Sequence, residues 1–211
     1  MSATVLLIRH PESAWNRAGI YQGRRDTPLS SLGRRQAELV TARLSRERLN
    51  GIVCSPLRRA RSLAQSIGHR QGIEPRVDDR LTEIAHGTWE GLHRHEVQRR
   101  FPDQYLCWLE RPHEVVFQGG ESLADVHQRS LAAIEEVLPR DGMWAVVTHD
   151  TVARLIVAAA NQEAIIGFSG VALENAAITT LVGPILHGSV RKLNDVSHLG
   201  DQRVNLKGQA L

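Results

Sequence analysis

Residues 5–13 read VLLIRHPES, and this stretch decides the fold class. Its first four residues are all apolar and show no polar alternation, which predicts a short strand buried on both faces. Arg9 and His10 follow at once, with Pro11 directly behind them. Strands covered on both faces belong mainly to parallel sheets. Arg9 and His10 directly follow this strand, so we expect two cationic side chains at the carboxyl end of a parallel strand.

The same pattern recurs along the chain. Buried strands are predicted over residues 51–54 and 143–147, and each is followed closely by a helical pattern. Helices are expected over residues 31–44, about 57–68, 123–138 and 151–160, and later strands over 177–182 and 190–193. Alternating strands and helices with short junctions predict an α/β fold, a three-layer α/β/α sandwich with a mostly parallel central sheet.

The length and the lack of repeats predict a single domain over residues 1–211. Residues 84–120 differ from the rest because they are irregular and aromatic, and we expect them to form a lid or side wall. The aromatic residues in this part of the chain include Trp89, Trp108 and Phe117, which we interpret as core or lid packing.

Composition excludes some classes of function. The net charge is +3, but arginines alternate with acidic residues, so we expect a small anionic ligand and no nucleic-acid partner. No apolar run is long enough for a membrane span, and no secretory signal opens the sequence. Cys54 and Cys107 lack a CxxC spacing, which favours a reduced, cytoplasmic protein.

Polar residues follow three of the predicted strands. Arg9 and His10 come after the first strand, Ser55 and Arg59 after the second, and His149 after the third. Ligands of open α/β sheets bind beyond the carboxyl ends of the strands, so these side chains are expected to meet in one crevice. Helix N-termini after two of these strands add partial positive charge, which makes phosphate the expected ligand.

The sequence contains neither a GxxxxGK[ST] phosphate loop nor an Asp-rich metal motif, so we expect no metal and no other cofactor. His93 and His95 are two residues apart and would face different sides of a helix, which indicates a solvated surface. Without a metal, guanidinium and imidazole groups must neutralise the phosphate.

A histidine in such a crevice can act as a nucleophile toward phosphorus, and the leaving alkoxide then needs a proton from a carboxylic acid. Glu83, a lone carboxylate among apolar neighbours, is the best candidate for that acid. Its plainer interpretation is half of a structural salt bridge.

Five stretches of the sequence carry a resemblance to a known family, and they occur in this order along the chain: LIRHPESAWN…YQGRRDTPLSSLGRRQA, CSPLRRA, LTEIAHGTWEG, GGESLADV and VVTHD. Together they resemble the histidine phosphatase superfamily, also called phosphoglycerate mutase-like, over nearly the whole chain. The resemblance implies that His10 is phosphorylated and that Glu83 donates the proton. It further implies that the phosphoryl group and the substrate are bound by Arg9, Arg59, His149, Asn16, Gln22 and Gly23.

Three further stretches are similar to one group within this superfamily, the metal-independent phosphoserine phosphatases. These stretches are LSRERLNGIVCSPLRRA, WLERPHEVVFQGGESLADV and VRKLNDVSHLGD. That likeness implies a small phosphorylated metabolite as substrate, with His86 and the segment His198, Leu199 and Gly200 at the phosphoserine moiety. It also points to a homodimer. The plainer interpretation of His198 is a polar tail residue.

Other functions stay open. An α-ribazole or sugar phosphatase of the same superfamily would share this core, and so would a phosphoglycerate mutase. The sequence after Glu83 lacks the arginine and tyrosine stretch of the mutases, which favours hydrolysis. A degenerate member that only binds a phospho-ligand is the non-enzyme alternative.

Two residues depart from the family pattern. Pro11 replaces the glycine of the RHG motif, and it is tolerable if this position has a negative φ and needs no N–H donor. Asp150 replaces a glycine that commonly follows the second histidine. We expect its carboxylate to turn away from the pocket as the N-cap of the next helix while its N–H stays available to the ligand.

Overall fold

A six-stranded sheet forms the centre of the computed structural model, which describes residues 3–163, 165–183, 190–204 and 209–210. Its strands, in chain order, are β1 (Thr4–Arg9), β2 (Gly51–Cys54), β3 (Arg76–Val77), β4 (Met143–Thr148), β5 (Ile178–Val182) and β6 (Val190–Asp195). Five of them lie at the expected places. The two-residue β3 is too short and too exposed to show a hydrophobic pattern in the sequence.

The strand order is β3-β2-β4-β1-β5-β6. Strands β3, β2, β4 and β1 run parallel, while β5 is antiparallel to β1 and β6 is antiparallel to β5. The expected mostly parallel sheet is therefore confirmed. Because β1 lies between β4 and β5, its carboxyl end opens in the middle of the sheet.

Helices cover both faces of the sheet. The helices are α1 (Ala14–Ala18), α2 (Ser31–Leu44), α3 (Arg58–Gln71), α4 (Arg94–Arg100), α5 (Pro102–Glu110), α6 (Leu123–Glu135) and α7 (Asp150–Ala160). Side chains on one face of β1, such as Leu6 and Ile8, share a core with α2 and α3. Those on the other face, Val5 and Leu7, share a core with α6 and α7. This arrangement confirms the three-layer α/β/α sandwich.

Local sequence explains where several helices begin and end. The Ser30 hydroxyl accepts the Gly33 N–H and so caps α2. At the end of α3, Gly72 takes a left-handed φ of 69°, which glycine adopts at little cost. Helix α6 ends at Glu135, three residues earlier than expected.

Residues 84–120 hold α4, α5 and two 3₁₀ turns, Gly87–Trp89 and Pro112–Glu114. The aromatic side chains Trp89, Trp108 and Phe117 are buried in the same core as α6 and α7. Their interpretation as packing residues is therefore confirmed. In the part of the chain that the structure describes, no helix has the length and apolar character of a membrane span.

Candidate active site

The carboxyl ends of β1, β2 and β4 bring the expected polar residues together. The parallel ladder continues one step beyond the strands, since the His10 N–H donates to the Thr148 carbonyl at 2.8 Å and the Ser55 N–H donates to the Val147 carbonyl at 3.0 Å. The rings of His10 and His149 consequently lie side by side, with centroids 5.1 Å apart. Arg9, His10 and Arg59 line one pocket there, as predicted, whereas Ser55 and His149 are fully buried and do not line it.

One nitrogen of His10 is fixed by the backbone. Its Nδ1 lies 2.7 Å from the carbonyl oxygen of Pro11. Because that oxygen can only accept, Nδ1 carries the proton, and the Nε2 lone pair is left for chemistry. Burial, together with the nearby Arg59 and Arg9, lowers the pKa of His10 well below its usual value, so the ring is neutral at pH 7.

Pro11 is compatible with this geometry. Non-glycine residues with positive φ in the described chain are Gln162, Ala176 and Asn194, so Pro11 keeps the negative φ that its ring requires. The carbonyl oxygen of Pro11 holds the His10 ring through a hydrogen bond to Nδ1, and this bond does not involve the amide N–H that proline lacks.

His149 lies behind His10 and is completely buried. Its Nε2 is 2.7 Å from the Ser55 hydroxyl, which also accepts the Leu57 N–H. The hydroxyl proton can therefore point to Nε2, which leaves Nδ1–H as a donor. That Nδ1 is buried and has no partner among the described residues. Burial, then Arg59 and His10, lowers the pKa of His149 well below the usual range.

Arg9 and Arg59 are both 1% exposed, and each is anchored through its Nη atoms. Arg59 donates to the carbonyls of Arg25 and Gly23, both at 2.8 Å. Arg9 donates to the Leu173 carbonyl at 2.6 Å. The buried Nε of each arginine has no partner in the described part of the chain, so each guanidinium keeps a donor edge free. Burial lowers the pKa of Arg59 to about 10, which keeps it cationic at neutral pH.

Glu83 lines the same pocket and is 7% exposed. Burial, and next the negative charge of Asp150, raises its pKa, an effect that outweighs the opposing charge of Arg59. One carboxyl oxygen accepts the Ile84 N–H at 3.0 Å. Its environment therefore favours a protonated carboxyl, the form that a proton donor needs.

Asn16 and Gln22 also line the pocket, and their amide oxygens are already occupied. The Asn16 oxygen accepts the Ser13 N–H at 3.1 Å, and the Gln22 oxygen accepts the Ser13 hydroxyl at 2.6 Å. The NH₂ group of each is therefore available as a donor. Gly23 has a φ of 50°, and a Cβ there would lie 2.0 Å from a carboxyl oxygen of Glu90, so this position favours glycine.

His86 lies at the wall of the pocket, against the rings of Tyr21, Trp108 and Phe117. Burial, then Arg59, lowers its pKa to about 3, so the ring is neutral. Neither ring nitrogen has a partner among the described residues, although both are buried. One of them must carry a proton, which leaves a donor for a ligand.

The expectation for Asp150 needs correction. The N-cap of α7 is His149, and Asp150 is the first helical residue. Its carboxylate does not turn away: it lies 3.0 Å from Arg9 and 3.3 Å from Arg154, and it lines the pocket. The physical reason is the buried charge of Arg9, which attracts the carboxylate inward, while Arg154 stabilises it from one helical turn away.

The segment His198, Leu199 and Gly200 also differs from expectation, because it does not line the pocket. Leu199 is buried in the core of α2 and α3, and a ring nitrogen of His198 lies 3.1 Å from the Ala176 carbonyl. Gly200 begins a 3₁₀ turn, Gly200–Gln202. The apolar side chain of Leu199 explains the placement, since its burial holds the segment against the sheet.

Gln209 and Ala210 reach the pocket instead. Gln209 accepts from Arg9 at 2.9 Å and donates to Asn175 at 2.7 Å, and Asn175 in turn donates to the His10 carbonyl at 3.2 Å. Ala210 lines the pocket. No motif marks these residues in the sequence, and only the contacts identify them.

Other polar residues lie elsewhere. Arg58 and Arg61 are exposed. His93 and His95 stack on each other with ring centroids 5.3 Å apart, and no cluster of three potential metal ligands occurs among the described residues. A groove of about 610 Å³ between α2 and α3 contains none of the expected site residues.

The fold and the site define a class of protein. It is an α/β protein with two histidines, two arginines and one carboxyl of raised pKa at the carboxyl ends of its parallel strands, an arrangement suited to phosphoryl transfer. The profile of the histidine phosphatase superfamily (branch 1) matches residues 5–196. The chain therefore belongs to that superfamily and is a phosphatase of its class.

Relatives cover most of the chain. It is 38% identical over 201 residues to phosphoserine phosphatase 1 of Hydrogenobacter thermophilus, an alignment that spans 93% of this chain and 94% of that protein. It is 35% identical to the glucosyl-3-phosphoglycerate phosphatase of Mycolicibacterium vanbaalenii, over 69% of this chain and 64% of that one. The solved structure of Bacillus stearothermophilus YhfR superposes with a TM-score of 0.87 at 29% identity, over 93% of this chain and 99% of that one.

Proposed function

We propose that this protein hydrolyses phosphate monoesters without a metal, through a phosphohistidine on His10, and that its substrate is L-phosphoserine. The observation that carries the reaction is the His10 ring, whose Nδ1 is tied to the Pro11 carbonyl so that Nε2 can attack phosphorus.

In the first step Nε2 of His10 forms a bond to phosphorus while the ester P–O bond breaks. The free donor edges of Arg9 and Arg59 and the Nδ1–H of His149 stabilise the transferring group, with the amides of Asn16 and Gln22 beside them. Glu83 gives its proton to the departing alkoxide.

In the second step water attacks the phosphohistidine, and Glu83, now ionised, takes a proton from it. Inorganic phosphate leaves, and His10 and the protonated Glu83 are restored. The buried neutral ring of His10 is suited to this cycle because it returns as an uncharged leaving group.

Three observations support phosphoserine as the substrate. The alignment with phosphoserine phosphatase 1 of Hydrogenobacter thermophilus covers 94% of that protein. The neutral ring of His86 offers one unused donor at the pocket wall, which suits the carboxylate of phosphoserine. The pocket-facing carboxylate of Asp150 offers negative charge for the ammonium group.

A sugar phosphatase is the second candidate, because the glucosyl-3-phosphoglycerate phosphatase relative aligns over 69% of this chain. An α-ribazole phosphatase, a phosphoglycerate mutase and a binding protein without turnover are further alternatives.

Release of phosphate from a panel of esters in the presence of EDTA tests the proposal. The panel comprises phosphoserine, phosphothreonine, 3-phosphoglycerate, α-ribazole phosphate, sugar phosphates and p-nitrophenyl phosphate. We expect phosphoserine to rank among the best by kcat/KM. A better sugar phosphate would replace the substrate, phosphate transfer within glycerate faster than release would establish a mutase, and no turnover of any ester would leave a binding protein.

A further inference from the structure

Arg129 of α6 occupies an unusual position, because all five of its N–H groups are used on one loop and one carboxylate. It donates to the carbonyls of Arg80, Thr82 and Glu83 at 2.7, 2.6 and 3.3 Å. Its remaining donors go to the two carboxyl oxygens of Glu121 at 2.9 and 3.0 Å. A guanidinium is the side chain that can satisfy such a planar set of acceptors.

Glu121 secures the same loop on its other side. Its carboxylate accepts the Ala85 N–H at 2.9 Å, and its own N–H donates to the Ala85 carbonyl at 2.9 Å. Gly120 allows this close approach, since a Cβ there would lie 2.2 Å from the Ala85 carbonyl oxygen. The backbone is therefore fixed before and after Glu83.

The pair is only partly exposed, with 16% of each side chain accessible. Glu121 has a lowered pKa: burial alone would raise it, but the hydrogen bonds from Arg129 and Ala85 outweigh that effect. The pair is therefore ionised at neutral pH, and its hydrogen bonds are charge-assisted.

We propose that Arg129 and Glu121 are positioning residues that hold the Glu83 carboxyl where it can protonate the leaving group. The inference rests on the proposed function, in which Glu83 is the proton donor. Neither residue lines the pocket, and their hydrogen bonds reach Glu83 through the backbone of residues 80–85.

The leaving group separates this role from general structural support. An alkoxide needs a proton when it departs, whereas the p-nitrophenolate anion does not. We expect Arg129→Lys and Glu121→Gln to lower kcat/KM for phosphoserine by roughly tenfold or more, and for p-nitrophenyl phosphate by less than about threefold. A lysine keeps the charge but lacks the planar donor set.

Glu136→Gln is the matched control. Glu136 lies one residue beyond the same helix and binds Arg80 of the same loop at 2.7 Å, but it touches neither Glu83 nor Ala85. We expect it to leave the ratio of the two kcat/KM values unchanged. Thermal unfolding of all variants shows how much stability each one loses.

A double-mutant cycle completes the test. In a Glu83→Gln background no proton donor remains to be positioned, so Arg129→Lys should have little further effect on phosphoserine. An undiminished effect in that background, or equal losses on both substrates, overturns the inference while leaving the proposed function intact. No turnover by the unmodified protein overturns the proposed function itself.

Discussion

At the scale of single residues, the proposed chemistry depends on the free Nε2 of His10. The Pro11 carbonyl fixes the ring through Nδ1, and burial, together with Arg59 and Arg9, lowers the pKa of the ring and keeps it neutral. The residue that replaces the usual glycine thus supplies the carbonyl that orients the nucleophile. Proline is compatible with this position because the bond to the ring uses its backbone oxygen and not the N–H that proline lacks.

Glu83 and Asp150 give a pH prediction. Glu83 can act as an acid only while protonated, so kcat/KM for an alkyl phosphate should fall as pH rises through its raised pKa. Asp150→Asn removes a negative charge that raises this pKa, and we expect the alkaline limb to move to lower pH. Profiles of kcat/KM measured on one substrate check this shift, and a limb that stays in place or moves to higher pH contradicts it.

His86 gives a prediction about specificity. If its free donor binds the carboxylate of phosphoserine, His86→Ala should lower kcat/KM for phosphoserine by about tenfold or more, the loss of one hydrogen bond to a charged group. The same change should affect p-nitrophenyl phosphate much less. Steady-state kinetics on both substrates measure the difference, and equal losses would remove His86 from substrate recognition.

At the scale of elements, the start of α2 links the fold to the site. The Ser30 hydroxyl accepts the Gly33 N–H and donates to the carboxylate of Glu12, two residues after His10. We expect Ser30→Ala to lower the free energy of unfolding by about 1 kcal/mol, as for other lost N-caps. Urea denaturation measures this, with Ser62→Ala on the exposed face of α3 as the control. An equal effect of the two substitutions would deny the cap its role.

Elements and site differ in how well the sequence predicts them. Strands buried on both faces leave a clear apolar signal, and the residues at their ends follow from the topology. The inward turn of Asp150 depends on the ion pair with Arg9, a contact between residues 141 positions apart in the chain. Such a contact leaves no local pattern, so capping preference alone gave the wrong orientation.

The carboxyl-terminal part of the chain shows the same limit. The likeness to the phosphoserine phosphatases placed His198, Leu199 and Gly200 at the substrate, but Leu199 holds that segment in the core. Gln209 and Ala210 carry no pattern that marks them. They enter the site because the sheet places Asn175 and Arg9 close together, which only the tertiary structure reveals.

At the scale of the whole molecule, Gln209 joins the carboxyl-terminal part of the chain to the nucleophile through Asn175. Gln209→Ala removes its bonds to Arg9 and Asn175, and we expect kcat/KM to fall on the order of tenfold for any phosphate ester. Because Arg9 contacts the phosphoryl group in the proposed mechanism, aryl and alkyl esters should be affected alike. A loss confined to phosphoserine would assign Gln209 to substrate specificity instead.

The phosphohistidine is the central claim, and trapping it is the most direct test. The protein is mixed with ³²P-labelled substrate, quenched within a turnover, and examined for bound phosphate. We predict label on His10 that is stable in base and lost in acid, and no label on His10→Ala, which should also lose turnover. Absence of an acid-labile adduct in the unmodified protein, or undiminished turnover by His10→Ala, would contradict the account.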